Sequence, residues 1–288
     1  MSHPFEALLS REQAETTLAY LDQHRDVAAA PAEAMLATFA RACLLTDPDG
    51  LDRGASAAAE AEELARALLA HPDGATLKLD PFILTSHYRM VGQDHDCPAF
   101  RQLVATVANE LERQPEEVQR LGRVRALRRM LSDAGFLSPP QLRPEKELGL
   151  LNDLAALLVA SHQEIDDLVD HLAANGSAIP AGAADILSYV ALAELRNYHV
   201  DWSSKVLRFL LSMGSVNDSV TEAVRFIALQ RSTSGGYGFT DPSAQDPLSP
   251  RDRFRTFHLP ITLHAVWLIR LARAFERAVG TSAGQGPR

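Results

Sequence analysis

His258 stands where acid–base chemistry would be possible, at the first turn of the apolar stretch HLPITLHAVWL. Imidazole exchanges protons near neutral pH, so a histidine at the mouth of a cavity can act as proton donor or acceptor. A polar ring buried at the start of an apolar helix must find a hydrogen-bond partner. The sequence leaves two interpretations open, a catalytic histidine and a structural one satisfied by its neighbours.

The densest group of chelating side chains begins at His162. On a helix, His162, Asp166 and Asp170 share one face, because residues four apart are neighbours on the helix surface. The string Asp166-Asp167-Leu-Val-Asp170 fits the DDxxD pattern with which ionising terpene synthases hold magnesium and diphosphate. The nearest second acidic motif, in residues 217–225, ends in arginine where the final glutamate would stand. Charge runs are usually solvated, so the sequence favours a surface acidic helix here.

A second compact group, Asp-His-Asp-Cys, occupies residues 94–97 directly before Pro98. It could chelate a metal, but a polar group in front of a helix is more often an N-cap with an exposed histidine. Phosphate-binding glycine loops, nucleophile elbows and the zinc motif HExxH do not occur in the sequence.

Helices must position these groups, because strand signals are nearly absent from the sequence. Proline at a first turn recurs along the chain, and apolar residues repeat at helical spacing. The pattern predicts roughly twelve helices joined by short connections, in one domain over residues 1–280. A flexible tail is expected at 281–288. Very apolar helices alternate with amphipathic ones in the second half, which indicates an inner and an outer layer in a helical array.

The glycine turn at residues 235–239, GGYGF, resembles the repeat turns of α/α-toroid proteins. Those proteins include squalene–hopene-type terpene cyclases and protein prenyltransferase β subunits. In the prenyltransferases the turn continues through an Arg-Asp pair to an aromatic-His pair that starts an inner helix. The corresponding residues here are Arg251-Asp252 and Phe257-His258. The glycines themselves are expected to supply positive φ between helices.

The resemblance covers residues 197–275 and implies an all-α fold. We expect an α/α toroid of about six antiparallel helical hairpins around a central cavity. The alternative is an open α-solenoid, in which the two ends of the array do not meet.

The same resemblance implies a site at the mouth of the cavity, with Asp201 and His258 as catalytic residues. In the family an Asp, a Cys and a His bind zinc, but Ser203 stands at the cysteine position here. A hydroxyl is a poor zinc ligand at neutral pH. The sequence therefore predicts no metal and no other cofactor. The residues expected to bind substrate are Tyr237, Trp202, Arg251, Asp252, Phe257 and Trp267.

The composition narrows the classes of partner. The formal net charge is −9 over 288 residues, which disfavours nucleic acid and anionic membranes. No apolar stretch reaches the ~18 residues of a membrane span. The two cysteines and the absence of a signal-peptide pattern lead us to expect a reducing, cytoplasmic location. The expected partner is a hydrophobic small molecule or a peptide.

Two functions stay open at this point. The first is a terpene cyclase- or prenyltransferase-like enzyme that binds a hydrophobic substrate in a central cavity. The high Ala, Leu and Arg content suggests a GC-rich bacterial genome, where such an enzyme would belong to specialised metabolism. The second is a non-catalytic helical module that binds a lipid-like ligand or a peptide.

Overall fold

The fold is known from a computed structural model, which describes residues 5, 8–27, 29–47, 51, 53–71, 79–138, 149–238 and 258–283, with side chains up to residue 280. Helix takes up 74% of the described residues, about twice the usual third, and no strand occurs among them. The expected all-α class is confirmed. No helix in the described part of the chain is long and apolar enough to cross a membrane.

Fourteen helices are described, rather than roughly twelve. Their bounds in chain order are α1 Arg11–Asp22, α2 Pro31–Leu45, α3 Gly54–Leu69, α4 Pro81–Val91, α5 Pro98–Glu112, α6 Glu116–Gln119, α7 Gly122–Asp133, α8 Gly149–Asn152, α9 Leu154–Leu158, α10 His162–Asn175, α11 Ala181–Arg196, α12 Val200–Ser212, α13 Asp218–Ala228 and α14 Leu259–Ala283.

The larger number arises where one predicted helix is divided in two. The Asp153 side chain accepts hydrogen bonds from the amides of Ala155 and Ala156. It thereby starts α9 as a new helix after α8. A similar break at Arg120 separates α6 from α7. At the other end of the chain, α14 continues to Ala283, into the segment predicted as a tail.

Local sequence explains most helix starts. Pro31, Pro81 and Pro98 each occupy the first turn of a helix, where the missing N–H is not needed. Ser10 and Ser161 each form a capping box with the residue three positions later. These starts follow rules that apply within a few residues along the chain.

The start of α5 is an exception, and the N-cap expected from residues 94–97 is wrong. Cys97 is the N-cap residue and its side chain makes no capping bond. Its thiol lies buried, 3.6 Å from the Ala58 carbonyl oxygen, and burial raises its pKa. The carboxylate of Glu62 on α3 accepts from the amides of Ala99 and Phe100 instead, at 3.1 and 3.0 Å. A neighbouring helix therefore caps α5.

Six helices, here called the six-helix series, contact one another in succession. Helix α2 packs on α4, α4 on α7, α7 on α10, α10 on α12, α12 on α14, and α14 packs on α2. The remaining long helices pack against members of this series, with α3 on α2, α11 on α12 and α13 on α14.

Neighbouring helices in the six-helix series run in the same direction wherever two side-chain contacts between them fix their relative direction. Phe39 of α2 contacts Trp267 of α14, and Asp47, just after the end of α2, contacts Arg273 further along α14. The same order holds for α10 with α12 and for α12 with α14, in the pairs His162–Trp202, Asp170–Lys205, Asp201–His264 and Arg208–Trp267. The first turns of these helices consequently lie at the same end of the six-helix series.

Candidate functional site

Asp201 lies in the first turn of α12 and meets His264 of α14. The Nε2 atom of His264 is 3.0 Å from Oδ1 of Asp201, and Nη1 of Arg208 is 2.7 Å from Nδ1 of the same ring. His264 exposes 11% of its side chain, whereas Asp201 exposes 80%. The three residues form a row from a half-buried guanidinium to an accessible carboxylate, which we call the Asp–His–Arg row.

The hydrogen bonds define the charge state of this row. A guanidinium can only donate, so Nδ1 of His264 accepts from Arg208 and Nε2–H donates to Asp201. Burial lowers the pKa of His264, and the charge of Arg208 lowers it further against the opposing effect of Asp201. The hydrogen bond from His264 lowers the pKa of Asp201. At neutral pH the row therefore contains a cationic Arg208, a neutral His264 and an ionised Asp201.

Aromatic rings lie at the Arg208 end of the row. The guanidinium carbon of Arg208 is 4.1 Å from the ring centre of Trp267, and burial lowers the pKa of Arg208 to about 10. Phe39 meets the edge of Trp267 at 4.8 Å and stacks on His87 at 5.1 Å. Cation–π contact keeps Arg208 in place without neutralising it.

The imidazole that meets Asp201 is thus that of His264, while His258 lies against the glycine turn. Nδ1 of His258 is 3.4 Å from the Tyr237 carbonyl oxygen. The Thr262 hydroxyl joins the two segments, since it donates to the His258 carbonyl at 2.7 Å and accepts from the Tyr237 amide at 2.9 Å. A catalytic role for His258 stays a prediction.

The glycine turn is pressed against α1. Gly235 has φ +99°, as expected of a repeat-turn glycine, but the same expectation is wrong for Gly236 and Gly238, which have no positive φ. An added Cβ at Gly235 would come within 2.6 Å of the Thr16 carbonyl oxygen. A Cβ at Gly236 would overlap the Tyr20 ring, and one at Gly238 would overlap His258. The turn thus requires glycine for close packing as well as for backbone conformation.

The other residues expected to bind substrate are scattered. Tyr237 is fully buried, and burial raises the pKa of its hydroxyl. Trp202 stacks on His162 with ring centres 4.3 Å apart. Ser203, at the position of the family cysteine, is buried. The predictions for Arg251, Asp252 and Phe257 fall outside the described residues.

The acidic group on α10 differs from the expected surface helix. Asp167 is exposed, but Asp170 is 5% exposed. The Lys205 ammonium lies 3.1 Å from Asp166 and 3.0 Å from Asp170. Burial raises the pKa of Asp170, and Lys205 opposes that effect. The positive charge that magnesium would bring is supplied here by a lysine of the neighbouring helix.

A third constellation was missed by the sequence reasoning. The side chains of His162, Glu194 and His199, here called the His–Glu–His cluster, place one ligand atom each within 4.8 Å of one another. They come from three different helices or turns, and no spacing in the sequence signals them. His264 and Arg208 were also missed, because only the packing of α12 on α14 brings them to Asp201.

Comparison of the chain with models of known protein families, with curated proteins and with solved structures finds no match.

Proposed function

We propose that this chain is an enzyme with an α/α-toroid fold that acts on a hydrophobic small molecule, with Asp201 as its proton acceptor. The toroid is supported by the six-helix series, whose last member, α14, packs on its first, α2. An open solenoid would leave those two helices apart. The shared direction of these helices supports the toroid further, because their first turns then lie at the same end of the six-helix series.

The observation that carries the proposal is the Asp–His–Arg row. Asp201 is exposed and ionised, while its orientation is fixed by a buried imidazole that is itself held by Arg208. Its position in the first turn of α12 also favours the anion. A carboxylate held in one orientation can remove a proton or stabilise a developing positive charge without rearranging.

The lowered pKa of Asp201 selects among cyclase chemistries. A cyclase that starts its reaction by protonating an alkene needs a carboxylic acid, but Asp201 is a carboxylate at neutral pH. It suits the last step of a cyclisation, in which a proton leaves the carbon beside a carbocation and a double bond forms. The half-buried ring of Trp267 beside the row fits an apolar substrate.

Product analysis with farnesyl diphosphate and geranylgeranyl diphosphate tests the proposal on the purified chain. We expect turnover of one of these isoprenoids and a loss of about 100-fold or more in Asp201→Asn, because the base is removed. The matched control is Asp167→Asn, an exposed aspartate on α10 that accepts a hydrogen bond from Gln163 of the same helix. It should keep full activity.

His264 acts through Asp201, so its replacement should have a different signature. His264→Leu removes the hydrogen bond that lowers the pKa of Asp201, and the acid limb of the pH–rate profile should move to higher pH. Full activity in Asp201→Asn would contradict the proposal. If the chain retains a lipid without turnover, and Asp201→Asn retains it equally, the non-catalytic module is correct instead.

A further inference from the structure

We propose that the His–Glu–His cluster binds a zinc ion. The Nε2 atom of His162 lies 2.9 Å from Oε2 of Glu194, and Nδ1 of His199 lies 2.5 Å from the same oxygen. This ligand set differs from the Asp201, Ser203 and His258 positions that the toroid resemblance suggests. It also departs from the sequence prediction that the chain holds no metal.

The ligand types and their spacing suit zinc. Two imidazoles and one carboxylate are a frequent ligand set of zinc, whereas magnesium and calcium prefer oxygen ligands alone. Ligand atoms about 2.0–2.2 Å from a tetrahedral zinc lie roughly 3.3 Å apart. To accept the ion, the Glu194 oxygen has to move away from the His199 nitrogen by about 0.8 Å and from the His162 nitrogen by about 0.4 Å.

The backbone brings the three residues together at the first turns of α10 and α12. His162 opens α10 directly after the Ser161 capping box. Glu194 lies in the last turn of α11, and His199 is the N-cap residue of α12. The turn between them contains Tyr198 with φ +68°, the only non-glycine positive φ in the described ranges. This turn directs the His199 amide onto the Glu194 carbonyl oxygen at 3.0 Å.

Neighbouring groups hold the ligands in place. Trp202 stacks on the His162 ring, and its indole N–H donates to the His162 carbonyl oxygen at 3.3 Å. Partner groups that orient metal ligands in this way contribute to affinity.

The side of the cluster that faces solvent leaves a fourth coordination position open. His162, Glu194 and His199 expose 44%, 22% and 55% of their side chains. A zinc ion there would carry a water molecule as its fourth ligand, the arrangement of catalytic rather than closed structural zinc sites. The proposal stands apart from the acid–base role of Asp201, since zinc binding is measured without any substrate.

Titration of the metal-free chain with zinc chloride in a calorimeter tests the proposal. We expect one zinc per chain, and no comparable binding of calcium. His199→Ala and Glu194→Gln should each weaken zinc binding by at least about 100-fold, because each removes a direct ligand. Cobalt(II) in place of zinc should give the intense visible absorption of a tetrahedral site in the wild type and lose it in both variants.

The matched control is His95→Ala, an exposed histidine beside Asp94, Asp96 and Cys97. It should bind zinc as tightly as the wild type. Absence of zinc binding overturns the proposal. Unchanged affinity in His199→Ala and Glu194→Gln, or a loss confined to His95→Ala, overturns it as well. Circular dichroism shows whether each variant is folded. Because two ligand variants are made, zinc binding can still be measured on one of them if the other does not fold.

Discussion

At the scale of single residues, the buried imidazoles differ in what they can do. His264 is held between Asp201 and Arg208, and its buried position serves to orient an accessible carboxylate. His87 is completely buried between Phe39 and Phe100, and neither of its ring nitrogens has a hydrogen-bond partner among the described residues. Burial lowers the pKa of His87 to about 3.

The low pKa of His87 predicts a specific loss of stability in acid. Unfolded chains bind a proton at this histidine below about pH 6.5, and the folded chain does not until about pH 3. The free energy of unfolding should therefore fall by about 1.4 kcal/mol for each pH unit below 6.5 from this group alone. In His87→Leu that contribution disappears.

Urea unfolding at pH 7 and pH 5 measures the effect. We expect a smaller difference between the two pH values in His87→Leu than in the wild type, even if lost ring contacts change the stability at pH 7. His95→Leu, at an exposed site, should keep the wild-type difference. A His87→Leu variant that loses as much stability in acid as the wild type would show that His87 does not remain neutral.

At the scale of helices, the start of α5 depends on another element. The Glu62 carboxylate accepts from the amides of Ala99 and Phe100, the two donors that a local N-cap would satisfy. Glu62→Ala leaves two amides of a buried helix start unpaired, and we expect a loss of about 1–3 kcal/mol in the free energy of unfolding. Asp96→Ala, which removes an acidic residue of the group 94–97 in which the sequence predicts the cap, should change it by less than about 0.5 kcal/mol. Denaturant titration of both variants measures the two losses of stability. A larger loss in Asp96→Ala than in Glu62→Ala would show that the cap of α5 is local.

The contrast between local signals and contacts with distant elements explains how much of the structure could be predicted from the sequence. Helix type and many starts follow from Pro31, Pro98 and Ser161, because those signals act within one turn. Asp201 was predicted from the resemblance to the toroid family, but its partner His264 was not. The packing of α12 on α14 selects that partner, and no short-range spacing encodes it. The cap of α5 by Glu62 escaped for the same reason.

At the scale of the whole molecule, the last helix is tied to the beginning of the chain. Arg273 of α14 is 1% exposed and lies 2.5 Å from Oδ2 of Asp47, just after α2. The same guanidinium donates to the Leu9 carbonyl at 2.7 Å and to the Phe5 carbonyl at 3.4 Å. One side chain thereby joins α14, the end of α2 and the segment before α1.

Loss of this guanidinium should be among the most damaging single changes in the described core. Arg273→Met leaves the Asp47 charge buried without its closest partner, which costs about 3–5 kcal/mol of a total stability of about 5–15 kcal/mol. Urea unfolding followed by circular dichroism gives the value. The control Arg11→Met removes an exposed ion pair with Glu15 and should change stability by less than about 0.5 kcal/mol.

The double variant Asp47→Leu with Arg273→Met separates the contribution of the ion pair from that of the carbonyl contacts, because it removes the stranded charge along with its partner. Part of the lost stability should return, while the loss of the Arg273 hydrogen bonds to the Leu9 and Phe5 carbonyls keeps the double variant below the wild type. A double variant no more stable than Arg273→Met would show that the carbonyl contacts, and not the ion pair, join the two ends of the chain.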